Sequence, residues 1–253
     1  MRTFACVVAL LALICLTISC TNKQPEPAKA PLTAKAFVPP DPATTATVSG
    51  MVHFNGKLPA PQKIDMSQDP ACGAQSNFDP SLIVSTGAIA NVFVYVKGAF
   101  DDVSFPLPAA PVVINQKGCR YDPHVAVALV GQDVEFENGD QTTHNVHMMP
   151  AQLKQWNESQ MPGAEPIVKR FDRPEIMIPI KCNQHPWMRM YLNVVNHPFF
   201  AVTGQDGKFQ ISSLPPGTYT IAAVHERLGE QDVKVTVGPK ESRDIQFTFQ
   251  NVP

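Results

Sequence analysis

The chain has no excess of basic charge. Its 20 Lys and Arg stand against 22 Asp and Glu, and no stretch gathers the cations into a stripe, which excludes the electrostatic footprint of a nucleic-acid binder. No Gly-rich phosphate loop follows a strand-like segment, so a nucleotide site has no support. The apolar run Val7 to Ile18 is too short for a membrane-spanning helix. Prolines are scattered along the chain. The 25 prolines in 253 residues are about twice the usual ~5%; they disfavour long helices and suit short strands between turns. Apolar residues make up 44%, enough for packed cores in one or two domains.

Residues 1–20 read as an export signal, with Arg2 before the apolar run. Ser19-Cys20 resembles the end of a bacterial lipobox, although Thr17 stands where Leu is usual. On this reading Cys20 carries lipid and anchors the mature chain to a membrane, as a periplasmic or cell-surface lipoprotein. An ordinary cut nearby and an uncleaved anchor are the other readings. Without Arg2 the mature chain has 19 basic residues against 22 acidic ones, a charge of −3. Residues 21–45 form a tether, with Pro25, Pro27, Pro31, Pro39, Pro40 and Pro42 among Ala and Lys; such a stretch stays extended and buries no core. Cys6 and Cys15 leave with the signal. Cys72, Cys119 and Cys182 remain in an oxidising compartment, where thiols tend to pair. A Cys72–Cys119 disulfide with Cys182 left for metal accounts for all three, and two separate buried thiols is the other reading.

From Ala46 onward the pattern is β. Strands are expected at Val48–Phe54, Ala90–Val96, Val112–Ile114, Val125–Val130, Val134–Glu137, Ile178–Cys182 and Tyr191–Val195. Phe209–Ile211, Tyr219–Val224, Val233–Val237 and Ile245–Phe249 follow, separated by turn signals such as Asp206-Gly207 and Pro215-Pro216-Gly217. Gln152–Gln160, bounded by Pro150 and Pro162, is the one helix candidate, and a loop serves nearly as well.

Two segments carry chemistry. One is Thr143-His144-Asn145-Val146-His147, and the other is Cys182-Asn183-Gln184-His185-Pro186-Trp187-Met188-Arg189. A thiolate, two imidazoles and a thioether make the ligand set of a mononuclear blue-copper site: the thiolate suits copper(I), imidazole suits both oxidation states, and a weak axial thioether tunes the potential. Zinc can be held by Cys and two His with an open position, but a thioether serves it poorly and the loop implies no carboxylate. One cysteine in the loop excludes a dinuclear copper centre. Seven histidines are too few for a multicopper cluster. His53, His124, His147, His197 and His225 are expected at the surface or in turns. Glu226 beside His225 suggests a second metal site, but neighbours on a strand point to opposite faces.

These two motifs resemble the cupredoxins, the blue copper proteins, and most closely their amicyanin and plastocyanin branches. The amicyanin-type loop reads Cys-x-x-His-Pro-Phe-Met-Arg-Gly. The resemblance covers about Pro111 to Val195. It implies one type 1 copper with His144, Cys182 and His185 as equatorial ligands and Met188 as the axial one. Met190 stands where Gly is usual, at the spacing of the longer plastocyanin loop, and is the rival axial ligand. Asn145 corresponds to a residue that ties the two ligand loops together, and His147 to a histidine that is not a ligand. With its ring edge at the surface, His185 would be the electron exit. Pro186 and Trp187 would then form a docking patch, extended by Met148, Met149 and Pro150; Trp187 as plain core is the other reading.

The strings Val202-Thr203-Gly204-Gln205-Asp206-Gly207-Lys208-Phe209 and Leu214-Pro215-Pro216-Gly217-Thr218-Tyr219 resemble the carboxypeptidase regulatory-like, prealbumin-type sandwich. Its first two strands match Val48–Val52 and Asn91–Gly98. The expected fold is therefore all-β: a Greek-key cupredoxin sandwich at residues 101–197, inserted in a second small sandwich formed by 46–100 plus 198–250. The expected function is transfer of single electrons between transient redox protein partners, without catalysis. A copper chaperone or store, and a cell-surface binding module with a degenerate copper fold, are the alternatives.

Overall fold

The computed structural model describes residues 35–39, 41–73 and 77–250. The expected signal, the lipid site at Cys20 and most of the tether lie outside the described residues. The fold is all-β: among the described residues the only α-helix is the single turn Pro70–Gly73.

Four principal sheets stack on one another. In the first, Tyr121–Asp122, Val112–Gln116, Val134–Asn138 and Ile167–Lys169 lie in that order. It faces a five-stranded sheet ordered Val125–Leu129, Arg189–Val195, Glu175–Lys181, His144–Met148 and Trp156–Gln160. Their shared core contains Ile114, Val134 and Phe136 from one side and Val146, Ile178, Ile180, Met190 and Leu192 from the other. The alternation anticipated at Val134 and Phe136 is what supplies that inner face.

The third sheet is Phe200–Val202, Phe93–Lys97, Gly217–His225 and Gly229–Val237. The fourth contains Lys208–Leu214, Ala46–Asn55, Ala88–Ile89 and Val84–Ser85, and Ser242–Gln250 runs parallel to Ala46–Asn55 over nine residue pairs. Gly50 is opposite Ile245 there, and a Cβ on it would meet the Ile245 carbonyl oxygen at 1.8 Å. Val94 and Val96 point into the core between the third and fourth sheets. The alternate residues Phe93 and Tyr95 pack instead on Val125, Leu129 and Val195 of the five-stranded sheet. Phe93–Lys97 is thus buried on both faces, which explains its unbroken apolar run.

Between Asn55 and Val84 the chain crosses to the first pair of sheets. Lys63–Ile64 pairs with Asn77–Phe78, and Met66 and Cys72 join the core that holds Cys182 and Met188. Asp69 caps the Pro70–Gly73 turn by accepting the Ala71 N–H at 2.8 Å. Cys72 is disulfide-bonded to Cys119, with Cα atoms 5.7 Å apart.

The expected helix at Gln152–Gln160 is absent. Trp156–Gln160 is an edge strand paired with His144–Met148, and ladder pairing overrides the weak helical periodicity. Two of the histidines expected at the surface are buried. His197, 2% exposed, hydrogen-bonds to the Val96 carbonyl at 2.8 Å, and His225, also 2% exposed, accepts the Arg227 N–H at 3.2 Å. Backbone partners meet both ring nitrogens of His197, whose Nδ1 also accepts the Phe199 N–H at 3.3 Å, and Nδ1 of His225, which offsets part of the cost of burial. Glu226 turns away from His225 and binds His124 Nε2 at 2.5 Å.

Candidate metal centre

His144 opens the strand His144–Met148, and Cys182 follows the end of Glu175–Lys181. These two strands are antiparallel neighbours, His147 opposite Lys181, so the ladder brings both donors to one end of the sandwich. The loop after Cys182 closes tightly: Met188 N–H donates to the His185 carbonyl at 2.9 Å, and Cys182 N–H donates to the Met188 carbonyl at 3.1 Å. Asn145 Oδ1 accepts the Asn183 N–H at 3.2 Å, a tie between the two loops. Tyr121 Oη donates to the Asn145 carbonyl at 2.5 Å; burial, and then the nearby Cys182 sulfur, push its phenol pKa up.

His144 Nδ1 lies 3.0 Å from His185 Nδ1, and Cys182 Sγ lies 3.6 Å from the same His185 nitrogen. The three ligand atoms fall within 4.8 Å of one another. Exposure is 0% for His144, 1% for Cys182 and 4% for His185. An ion held at ~2.0–2.1 Å from nitrogen and ~2.3 Å from sulfur sets donor edges of roughly 3.3–3.7 Å; the 3.6 Å sulfur–nitrogen edge falls in that range and the 3.0 Å nitrogen–nitrogen edge lies below it.

Both outer imidazole edges face carboxylates. His144 Nε2 donates to Asp140 Oδ2 at 2.9 Å, and His185 Nε2 donates to Asp69 Oδ2 at 3.0 Å. An ionised carboxylate only accepts, so each Nε2 carries a proton, and in the neutral ring Nδ1 is left with a lone pair turned inward. Two imidazole nitrogens and a thiol sulfur at these separations can share a proton or hold a cation between them. Burial, the largest effect, holds the His144 pKa below the usual imidazole range against the opposing pull of Asp140, and the neutral ring is the form that binds metal.

The carboxylates are anchored in turn. Asp140 accepts the N–H groups of Gly118 and Cys119, each at 2.7 Å. Asp69 Oδ2 accepts the Thr142 hydroxyl at 2.6 Å, which does most to hold its carboxyl below the usual range. The Cys72–Cys119 disulfide joins the segments on which both anchors depend, and Cys72 Sγ is 3.9 Å from His185 Nε2. Sequence reasoning missed Asp69 and Asp140. A carboxylate four residues before His144 was a readable signal for Asp140; Asp69, 116 residues from His185, gave none.

The strand register separates the two methionines. Ile180 stands opposite Met190 and Lys181 opposite Arg189, so the next pair is Cys182 with Met188, as their backbone bond shows. Directly opposite residues share a face with Cβ atoms ~4.5–5.5 Å apart. Met190 lies on the same face, two residues or ~7 Å deeper into the sandwich.

The expected electron exit needs correction. His185 does not present its ring edge to solvent, because Asp69 and Cys72 cover it. Met148 is fully buried, not part of a surface patch. Pro186 is exposed, while Trp187 is half-buried against the core, its ring centroid 5.2 Å from that of His185 and its Nε1–H donating to the Cys119 carbonyl at 3.2 Å. His147 stands apart from the cluster, bonded to Asn183 Oδ1 at 3.0 Å and to Gln155.

No family model matches the sequence, and no curated protein matches it. Among solved structures, the chain is similar to a copper-containing nitrite reductase from Thermus scotoductus SA-01, with 19% identity, a TM-score of 0.33, and 57% of this chain against 28% of that one. It therefore spans less than a third of that enzyme's length. It is similar to a copper(I) form of an amicyanin variant, with 21% identity, a TM-score of 0.30, and 35% of this chain against 85% of that one. It is also similar to a purple cupredoxin from Nitrosopumilus maritimus, with 19% identity, a TM-score of 0.29, and 33% of this chain against 98% of that one.

Proposed function

We propose that this chain is an exported, lipid-anchored copper protein that passes single electrons between transient partners. The observation that carries the reading is the convergence of His144 Nδ1, His185 Nδ1 and Cys182 Sγ in a buried pocket, with both imidazole protons directed outward to Asp140 and Asp69. Two imidazoles and a thiolate suit copper, which supplies a one-electron couple when bound. Met188, opposite Cys182 by register, would supply the thioether, and Met190 packs beneath it. The chain's own part is to fix ring tautomers, exclude water and hold the donors in one arrangement. No substrate is transformed. Most of residues 101–197 form the copper-binding sandwich, joined by Ile64, Met66 and Cys72 of the crossing segment; the rest of 46–100 plus 198–250, with Phe105 packed against it, forms the second sandwich, which serves as a spacer or platform.

Burial favours this over a copper chaperone or store, since a site capped by a disulfide-linked segment exchanges its ion slowly. Reconstitution with copper(II) tests it. An intense visible thiolate-to-copper band, lost in Cys182→Ser, is expected. Absence of tight binding would leave a structural module, and rapid loss of copper to a mild chelator would leave a chaperone.

A further inference from the structure

Beside the metal loop lies a cleft of ≈ 420 Å³, within the size range of small-molecule sites. Trp187 and Met188 form one wall and Ile64 belongs to another. Three cations line it, Lys117, Arg120 and Arg189, against one carboxylate, Asp122. Among the described residues none of the three cations is paired with a carboxylate.

Arg120 is the telling group. Its guanidinium donates to the Phe78 carbonyl at 3.1 Å, while its Nε is buried without any hydrogen-bond partner. Burial pulls its pKa down. A partly buried guanidinium without a counter-charge is costly, and its donors that remain accessible fit a carboxylate. The half-buried Trp187 offers an aromatic surface beside it.

We propose that this cleft binds a small organic anion, a carboxylate on a flat apolar body, with the body against Trp187 and the carboxylate among Arg120, Lys117 and Arg189. This site uses none of the three inward-facing donor atoms; Met188, the proposed thioether donor, borders both, so binding is read on copper-free protein.

The test uses copper-free protein and 1-naphthoate as the probe. The chain has two tryptophans, so ¹⁵N-labelled protein gives two indole signals, assigned with Trp187→Phe. Saturable movement of the Trp187 signal is expected, with the Trp156 signal fixed. Calorimetry is expected to give binding at least tenfold weaker for Lys117→Gln/Arg189→Gln, and at least tenfold weaker for neutral 1-naphthamide on the unaltered protein. Equal affinity for the amide, or no saturable shift at Trp187, overturns the proposal whether or not copper binds.

Discussion

The imidazole of His185 and the carboxylate of Asp69 meet at 3.0 Å across 116 residues of sequence. This contact orients the ring and covers the edge through which it would otherwise touch solvent. Partners of this kind are worth ~10–100-fold in metal affinity. Asp69→Ala should therefore weaken copper binding by one to two orders of magnitude, measured by competition with a chelator, while the far-ultraviolet circular dichroism stays unchanged. An unaltered affinity would show that Asp69 only fills space.

Met188 and Met190 make different predictions although both are buried. Met188→Leu should alter the visible spectrum and raise or lower the reduction potential, because the axial donor is gone. Met190→Leu conserves volume and should cost less than ~1.5 kcal/mol of stability with the spectrum intact. Spectra of the two copper-loaded variants decide the axial ligand; a changed spectrum in Met190→Leu alone would reverse the assignment.

The Cys72–Cys119 disulfide closes a loop with a sequence separation of 47, and chain entropy assigns such a cross-link about 4 kcal/mol. Cys72→Ser/Cys119→Ser should lose stability of that order in urea. It should also make copper exchange faster, because the segment carrying Asp69 is then held only by Met66, the short pairing of Lys63–Ile64 with Asn77–Phe78 and its hydrogen bonds. Unchanged exchange would separate the staple from the site.

His225 gives a pH dependence remote from the metal. Burial lowers its pKa to about 4, with His124 and Arg227 adding to the effect and Glu226 opposing it. The folded state keeps the ring neutral where the unfolded chain, near 6.5, takes up a proton. Stability is therefore intact above pH ~6.5 and falls as the pH drops toward 4, by on the order of 3 kcal/mol at full effect. Urea midpoints at pH 7, 5 and 4 should show this loss, and His225→Gln should flatten it.

Legibility in the sequence followed local pattern. Phe93–Lys97, Val134–Asn138 and Ser242–Gln250 were readable because β-branched and aromatic residues recur at strand spacing. Trp156–Gln160 was not, since Trp-Asn-Glu-Ser-Gln is an edge strand with almost no inner face to mark it. The cluster of His144, Cys182 and His185 was legible because Cys182, His185 and Met188 share one short loop and His144 stands in a second compact motif upstream. Asp69 was invisible because only folding across the whole chain brings it to His185. The burial of His197 and His225 was hidden for a related reason: their partners are backbone groups, which leave no signature in side-chain identity.

The strand Phe93–Lys97 sends alternate side chains into two different cores. Cutting the molecule at this layer would strip the cover from Phe93 and Tyr95 on one piece and from Val125, Leu129 and Val195 on the other. Neither fragment would then be a self-sufficient folding unit, and a transplant of the ligand-bearing sheets onto another scaffold would have to supply a replacement for that greasy wall.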